Sequence, residues 1–197
     1  MVKVGFIVEG DTEKIIVESK AFQSWAKSVG LEICSPVVDA KGGGNLLPHN
    51  IRQLVDRLKM ASPEHLVILT DLEEAPSVDS VKERIQTEHT NLIFVAVKAI
   101  EAWFLADTEA LQRFLKSEDA FEALPEETTE KPWQRLKELA VERKVNGPGS
   151  SKTLFAKRMC NSYGFEISRA AKHPACPSVK QFHDELIRLG SGGLEFL

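Results

Sequence analysis

Short apolar runs alternate with amphipathic stretches through the first half of the chain, and then the runs stop. Lys3 to Val8, Leu31 to Val38, His65 to Thr70 and Leu92 to Lys98 read as four strands. Between the first two, a helix is predicted from about Thr12 to Val29, with Ile15, Ile16, Ala21, Phe22 and Trp25 near helical spacing and Asp11 as its N-cap. A second helix, Leu46 to Met60, places Leu47, Ile51, Leu54, Val55 and Leu58 on one face with Asn45 as its cap, and a short third helix runs from Ser77 to about Glu88. Strands three and four are nearly continuous apolar runs, as expected of strands covered on both faces. After Lys98 the pattern turns helical: Ile100 to Leu115 with a restart capped by Asp107, then Pro132 to Arg143, Lys152 to Asn161, Glu166 to Ala171 and Ser178 to Leu189. The expected fold is α/β, a mostly parallel four-stranded sheet flanked by helices over residues 1–115, followed by a helical extension over 116–197 that packs on or beside it.

Acids sit where these strands end. Val8 delivers Glu9 into the turn at Gly10, and Glu13 follows in the first helical turn. Strand three runs into Asp71, Glu73 and Glu74, and strand four leads to Glu101. Carboxyl ends of neighbouring parallel strands open on one crevice, so Glu9, Glu13, Asp71 and Glu73 are expected to meet, with Glu101 as a further ligand or the anchor of a water. Strand alternation across Leu72 is expected to send Asp71 and Glu73 in one direction. An acid in a first helical turn also has an ordinary explanation, since it suits the helix dipole by roughly 0.3–1 kcal/mol; Glu9 has none of that kind. Two unit charges about 4 Å apart repel by roughly 4 kcal/mol at an effective dielectric near 20. Such a cluster calls for raised pKa values or a cation, and oxygen-only ligands select Mg²⁺ or Mn²⁺.

Other motifs are weaker. Lys41-Gly42-Gly43-Gly44-Asn45 reads as a flexible loop or as a phosphate cradle before a helix. Gly147 to Thr153 has the wrong spacing for a P-loop and no strand before it. Lys152, Lys157, Arg158, Arg169 and Lys172 form a local basic surface suited either to solvent or to a phosphate backbone. The five histidines lack zinc spacing, Cys34 reads as a small buried hydrophobe, and no G-x-S-x-G elbow occurs.

At 197 residues and 43% apolar the chain can build one main core, and a net charge of −4 with a pI near 5.8 leaves no global basic footprint, so nucleic acid must be met locally. Three cysteines without a C-x-x-C pair argue against a disulfide framework. The amino terminus runs into a strand without signal-peptide features, and no apolar stretch approaches the roughly 20 residues of a membrane span. The expected location is cytoplasmic, with no membrane partner.

Glu9-Gly10-x-x-Glu13 after strand one and Asp71-x-Glu73 after strand three resemble the signature of Toprim domains, the fold of topoisomerases, DnaG-type primases and OLD-family nucleases. The closer resemblance is to small stand-alone Toprim-like proteins of the DUF4276 type, which share an Ile-Glu-Ala-Trp-like segment, here Ile100 to Trp103. The resemblance implies that Glu9 is a general acid or base and that Asp71 and Glu73 bind Mg²⁺; the usual pair is Asp-x-Asp, so Glu73 is a departure. OLD-like nucleases use two metals and an ATPase domain, which implies a separately encoded ATPase partner in phage defence or DNA repair. The function expected on these grounds is Mg²⁺-dependent phosphodiester cleavage, a Toprim-type nuclease acting on nucleic acid, DNA ahead of RNA. Glu9, Asp71 and Lys152 would be catalytic, and Glu9, Glu13, Asp71, Glu73 and Glu101 would hold Mg²⁺ or Mn²⁺. One rival is a non-catalytic subunit that holds metal or nucleic acid for an ATPase; another is an enzyme acting on small phosphorylated molecules.

Overall fold

The computed structural model describes residues 1–90 and 92–192; the last five positions of the predicted helical extension lie outside the described residues. β1 (Val2–Val8) is the middle of the sheet, and its alternation serves two cores. Val4, Phe6 and Val8 enter the larger one, and Ile7 enters the smaller. The chain turns at Gly10, which caps α1 (Asp11–Glu18), so Asp11 is the first helical residue and not the predicted cap. The single helix expected over 12–29 breaks at Ser19. That residue is extended, and its hydroxyl accepts from the Phe22 N–H at 3.2 Å to start α2 (Lys20–Ser28).

The strand expected over 31–38 is interrupted around Ser35 and Pro36, since proline has no N–H for the ladder. It becomes β2 (Leu31–Ile33) and β3 (Val38–Asp39), both paired with the same edge of β1. A short 3-10 turn, Gly43–Leu46, precedes α3 (Pro48–Asp56). Pro48 opens α3 with Leu47 at the cap, and Asn45 instead donates its side-chain amide to the Ala40 carbonyl at 2.7 Å. Then come β4 (His65–Asp71), α4 (Val78–Ile85) capped by Ser77, and β5 (Leu92–Ala96). The sheet has five strands rather than four, in the order β2 and β3, β1, β4, β5, and every neighbouring pair is parallel.

Two cores explain the continuous apolar runs. Ile7, Ile68, Ile93 and Val95 face α3 and α4, while Phe6, Val67, Leu69 and Phe94 face the other helices. The helical half consists of α5 (Glu101–Ala106), α6 (Thr108–Leu115), α7 (Pro132–Glu142), α8 (Lys152–Asn161), α9 (Ile167–Ala170) and α10 (Pro177–Gly190). Asp107 caps α6 as its sequence predicts, accepting from the Ala110 N–H. Phe182 of α10 lies 5.2 Å, ring to ring, from both Phe94 of β5 and Trp103 of α5, so these helices share the larger core with the sheet. α8 packs against α1, which carries the start of α8 to the carboxyl edge of the sheet. No described helix is long and apolar enough to cross a membrane.

Candidate functional site

The chain leaves β1 toward β2 and β3 on one side and reaches β4 on the other, so the carboxyl ends of β1 and β4 flank the switch point of this sheet. Crevices form at such points. One of about 390 Å³ opens there, lined by Glu9, Glu13, Asp39, Lys41, Asp71, Glu101 and Lys152 among others.

Glu9 is tied across the strands. Its Oε2 accepts from the Thr70 hydroxyl and from the Asp71 N–H at 3.1 Å, and its backbone N–H donates to the Leu69 carbonyl at 2.9 Å. Asp71, a half-buried residue at the end of β4, accepts from the Ile100 N–H at 2.8 Å, which fixes the entry to α5 and hence Glu101. Glu13 is 4% exposed and Glu101 1% exposed. Among the described residues Lys152 is the counter-charge nearest Glu101, with its Nζ 3.0 Å from Glu101 Oε1; Glu101 Oε2 is buried without a hydrogen-bond partner.

The crowding shows in the acids' protonation. Burial, reinforced by repulsion from Glu9 and Glu101, pushes the Glu13 carboxyl up to about 7, against the opposing pull of its own backbone amide and Lys152. Asp71 is held well above the ordinary carboxylate range, by burial first and then by Glu13, Glu101 and Glu9. These four carboxyls therefore form one electrostatic unit.

Glu73 is not part of it. β4 ends at Asp71, and Glu73 sits beyond with φ at 49°, exposed, so the alternation that would align it with Asp71 no longer applies. It lines a neighbouring hollow of about 400 Å³ that Glu9 and Asp71 also border. Glu74 turns outward to Lys131 at 2.8 Å. Lys41 to Asn45 folds over Glu9: the Gly42 N–H donates to the Glu9 carbonyl at 2.9 Å, and a Cβ on Gly43 would come within 3.2 Å of Glu9 Oε1. The loop thus packs on a carboxylate.

Asp39, absent from the expected set, closes the outer side. It is 5% exposed at the end of β3, accepts from the Lys41 N–H at 2.6 Å, and has Oδ2 2.6 Å from Lys41 Nζ, which also reaches Asp11 Oδ1 at 3.1 Å. Its signal is legible: Val37-Val38-Asp39 repeats the apolar-run-then-acid pattern of Val8-Glu9 and Thr70-Asp71. The predicted basic surface separates. Lys152 joins the crevice and Arg169 is bound to Asp107, while Lys157 and Arg158 line another pocket.

The donor chemistry fits a hard divalent cation: every ligand candidate offers oxygen, and of the two buried oxygens without a hydrogen bond among the described residues, Asp39 Oδ2 has Lys41 at 2.6 Å while Glu101 Oε2 has no partner. Among the described residues no group of three His, Cys, Asp or Glu is arranged to hold a metal ion as it stands. Mg²⁺ does not require one, since it commonly keeps several waters and takes one or two carboxylates together with substrate phosphates.

Residues 8–187 match the family described as a domain of unknown function (DUF4276), and the chain belongs to that family. The C-terminal region of the Burkholderia pseudomallei OLD protein is similar in structure, at 19% identity and a TM-score of 0.46, over 94% of this chain and 99% of that one. No curated protein matches the chain.

Proposed function

We propose that this DUF4276 protein is a Toprim-type, Mg²⁺- or Mn²⁺-dependent enzyme that cleaves phosphodiester bonds in nucleic acid. The observation that carries the reading is the shortage of counter-charge in the crevice: six carboxyls against two lysines, with Lys41 taken up by Asp11 and Asp39, and a buried Glu101 oxygen without a partner. A fold tolerates that arrangement at a cost, which a cationic ligand offsets. Asp71, Glu13 and Glu101 are the residues that would hold a divalent ion, with Glu9 beside them. When bound, such an ion supplies charge neutralisation at a phosphate and lowers the pKa of a coordinated water.

The chain's own groups do the rest. Glu9, oriented through Oε2 by Thr70 and the Asp71 amide, is the group that moves a proton. Lys152, half exposed at the mouth, is placed to balance negative charge on the phosphate. Glu73, in the neighbouring hollow, has no assigned step. Its position outside the crevice favours the second reading, a non-catalytic subunit that holds metal or nucleic acid for a separately encoded ATPase.

Cleavage of plasmid and single-stranded substrates in Mn²⁺ separates the two. The enzyme reading predicts that Glu9→Gln lowers turnover by about 10² to 10⁴, the usual worth of a general acid or base, with an unchanged unfolding midpoint. Equal residual cleavage by wild type and Glu9→Gln would hand the case to the non-catalytic reading. Activity confined to mononucleotides or sugar phosphates would replace both with a small-molecule phosphohydrolase.

A further inference from the structure

A second pocket adjoins the crevice and has the opposite character. Ser151 lines it, and the next residue, Lys152, lines the crevice. It measures about 570 Å³ and is bordered by Pro148, Ser150, Leu154, Lys157, Arg158 and Asn161 among others, with no carboxylate. On a chain of net charge −4 that is a local inversion of sign. Lys152 and Arg169 are taken up by Glu101 and Asp107, whereas no ion pair to Lys157 or Arg158 occurs among the described residues.

Arg158 is held in position: its Nη2 donates to the Pro148 carbonyl at 2.5 Å, and its guanidinium carbon sits 5.5 Å from the Phe155 ring centroid. Those contacts fix the fork while leaving other donors for a ligand. Leu154, 62% exposed, gives the pocket an apolar wall on which a base or sugar can lie.

We propose that this pocket is a backbone-phosphate subsite for a polynucleotide strand whose scissile bond lies in the crevice. Lys157 and Arg158 take the phosphate, and Ser150, Ser151 and Asn161 supply neutral hydrogen bonds. The spacing fits a polymer. From Lys152 to Lys157 along α8 is about 7.5 Å at 1.5 Å per residue, so a phosphate held at Lys157 and a bond beside Lys152 belong to different nucleotides of one strand. A mononucleotide in the crevice does not span both. The assignment of the scissile bond rests on the proposed nuclease reading; the subsite itself is tested by binding alone.

The probe is a fluorescein-labelled oligothymidylate of about twelve nucleotides, titrated with full-length protein in chelator and followed by anisotropy. Lys157 is exposed, so Lys157→Glu should keep the fold; Lys157→Gln removes the charge without reversing it; Lys27→Glu, on α2, makes the same change of net charge as Lys157→Glu but in neither pocket. Lys157→Glu should weaken binding by about tenfold, the scale of one charge-assisted hydrogen bond, Lys157→Gln by less, and both should flatten the salt dependence by about one contact. Lys27→Glu should match wild type. Wild-type binding by Lys157→Glu, or equal losses from Lys27→Glu and Lys157→Glu, would overturn the subsite. Competition by thymidine monophosphate as strong as by the oligomer would overturn the claim that the ligand is a polymer. Cleavage in Mn²⁺ that survives a failed binding test would remove the subsite and leave the nuclease reading; lost binding in a protein that cleaves nothing would do the reverse.

Discussion

Asp107 and the crevice acids Glu13 and Glu101 are buried carboxylates, and they are treated in opposite ways. Asp107 is fully buried and satisfied on every side: Oδ1 accepts from Arg169 Nε at 2.9 Å and the Ala110 N–H at 3.3 Å, and Oδ2 from Arg169 Nη2 at 2.9 Å and the Glu166 N–H at 2.8 Å. Arg169 in turn reaches Glu166 Oε2 at 2.8 Å and the Gly164 carbonyl. That acid joins α6 to α9 and needs nothing further. In the crevice Lys152 pairs, among the described residues, with Glu101 alone, Glu13 and Asp71 are pushed toward protonation, and an oxygen of Glu101 stays unpartnered. A buried acid serving the fold is paired within the fold; the crevice acids are left short of such partners.

The contrast can be broken by substitution. Arg169→Ala strands the Asp107 charge inside the protein and should cost about 3–5 kcal/mol of stability, read from urea unfolding. A loss under about 1 kcal/mol would mean that Asp107 is no better paired than a surface acid.

The pH dependence sharpens it next. The Glu13 carboxyl titrates at about 7 in the folded protein against an ordinary 4.5, so between those values the folded state keeps a proton that the unfolded state has released. Stability must therefore fall as pH rises from about 4.5 to 7, by on the order of 3 kcal/mol in all, and Asp71 acts in the same direction. Asp119, lowered to about 2 by Arg143, works the opposite way, but its loss lies below pH 4, outside this window. Thermal melts from pH 5 to 7 in chelator should show the decline in wild type and a flatter profile in Glu13→Gln. Parallel profiles would remove Glu13 from the account.

Divalent metal should act in the same place with a similar size. At 100 times its dissociation constant Mg²⁺ or Mn²⁺ should add roughly 2.7 kcal/mol, raising the melting temperature at pH 7. The smallest effect belongs to Glu73→Gln: exposed and outside the crevice, it should change stability by less than about 0.5 kcal/mol and leave the metal-induced shift intact. A lost shift would bring Glu73 back among the ligands.

How much of this was legible in the sequence depends on the range of the interaction involved. The strands β1, β4 and β5 follow from apolar runs that both cores demand, and Asp107 declares itself as a cap through local chemistry. The breaks at Ser19 and around Pro36 are also local signals, but continuous hydrophobic spacing runs across them and masks them. Glu9, Glu13, Asp71 and Glu101 were readable as strand-end acids because a parallel sheet gathers such positions. Glu73 was not, because its place depends on where β4 stops and on a left-handed residue that strand alternation does not describe. Asp39 carries the same apolar-run-then-acid signal, but its place in the crevice depends on a two-residue strand pairing with β1. The division of the basic residues between Asp107, the crevice and the neighbouring pocket is set by tertiary packing and leaves no trace in spacing.

The most direct measurement is anomalous scattering from crystals soaked in Mn²⁺, compared between wild type and Asp71→Asn. A site short of positive charge predicts Mn²⁺ density in the crevice among Asp71, Glu13 and Glu101, weakened or absent in Asp71→Asn, and none at the satisfied Asp107. A crevice free of anomalous density in crystals that hold Mn²⁺ on surface carboxylates would contradict the account.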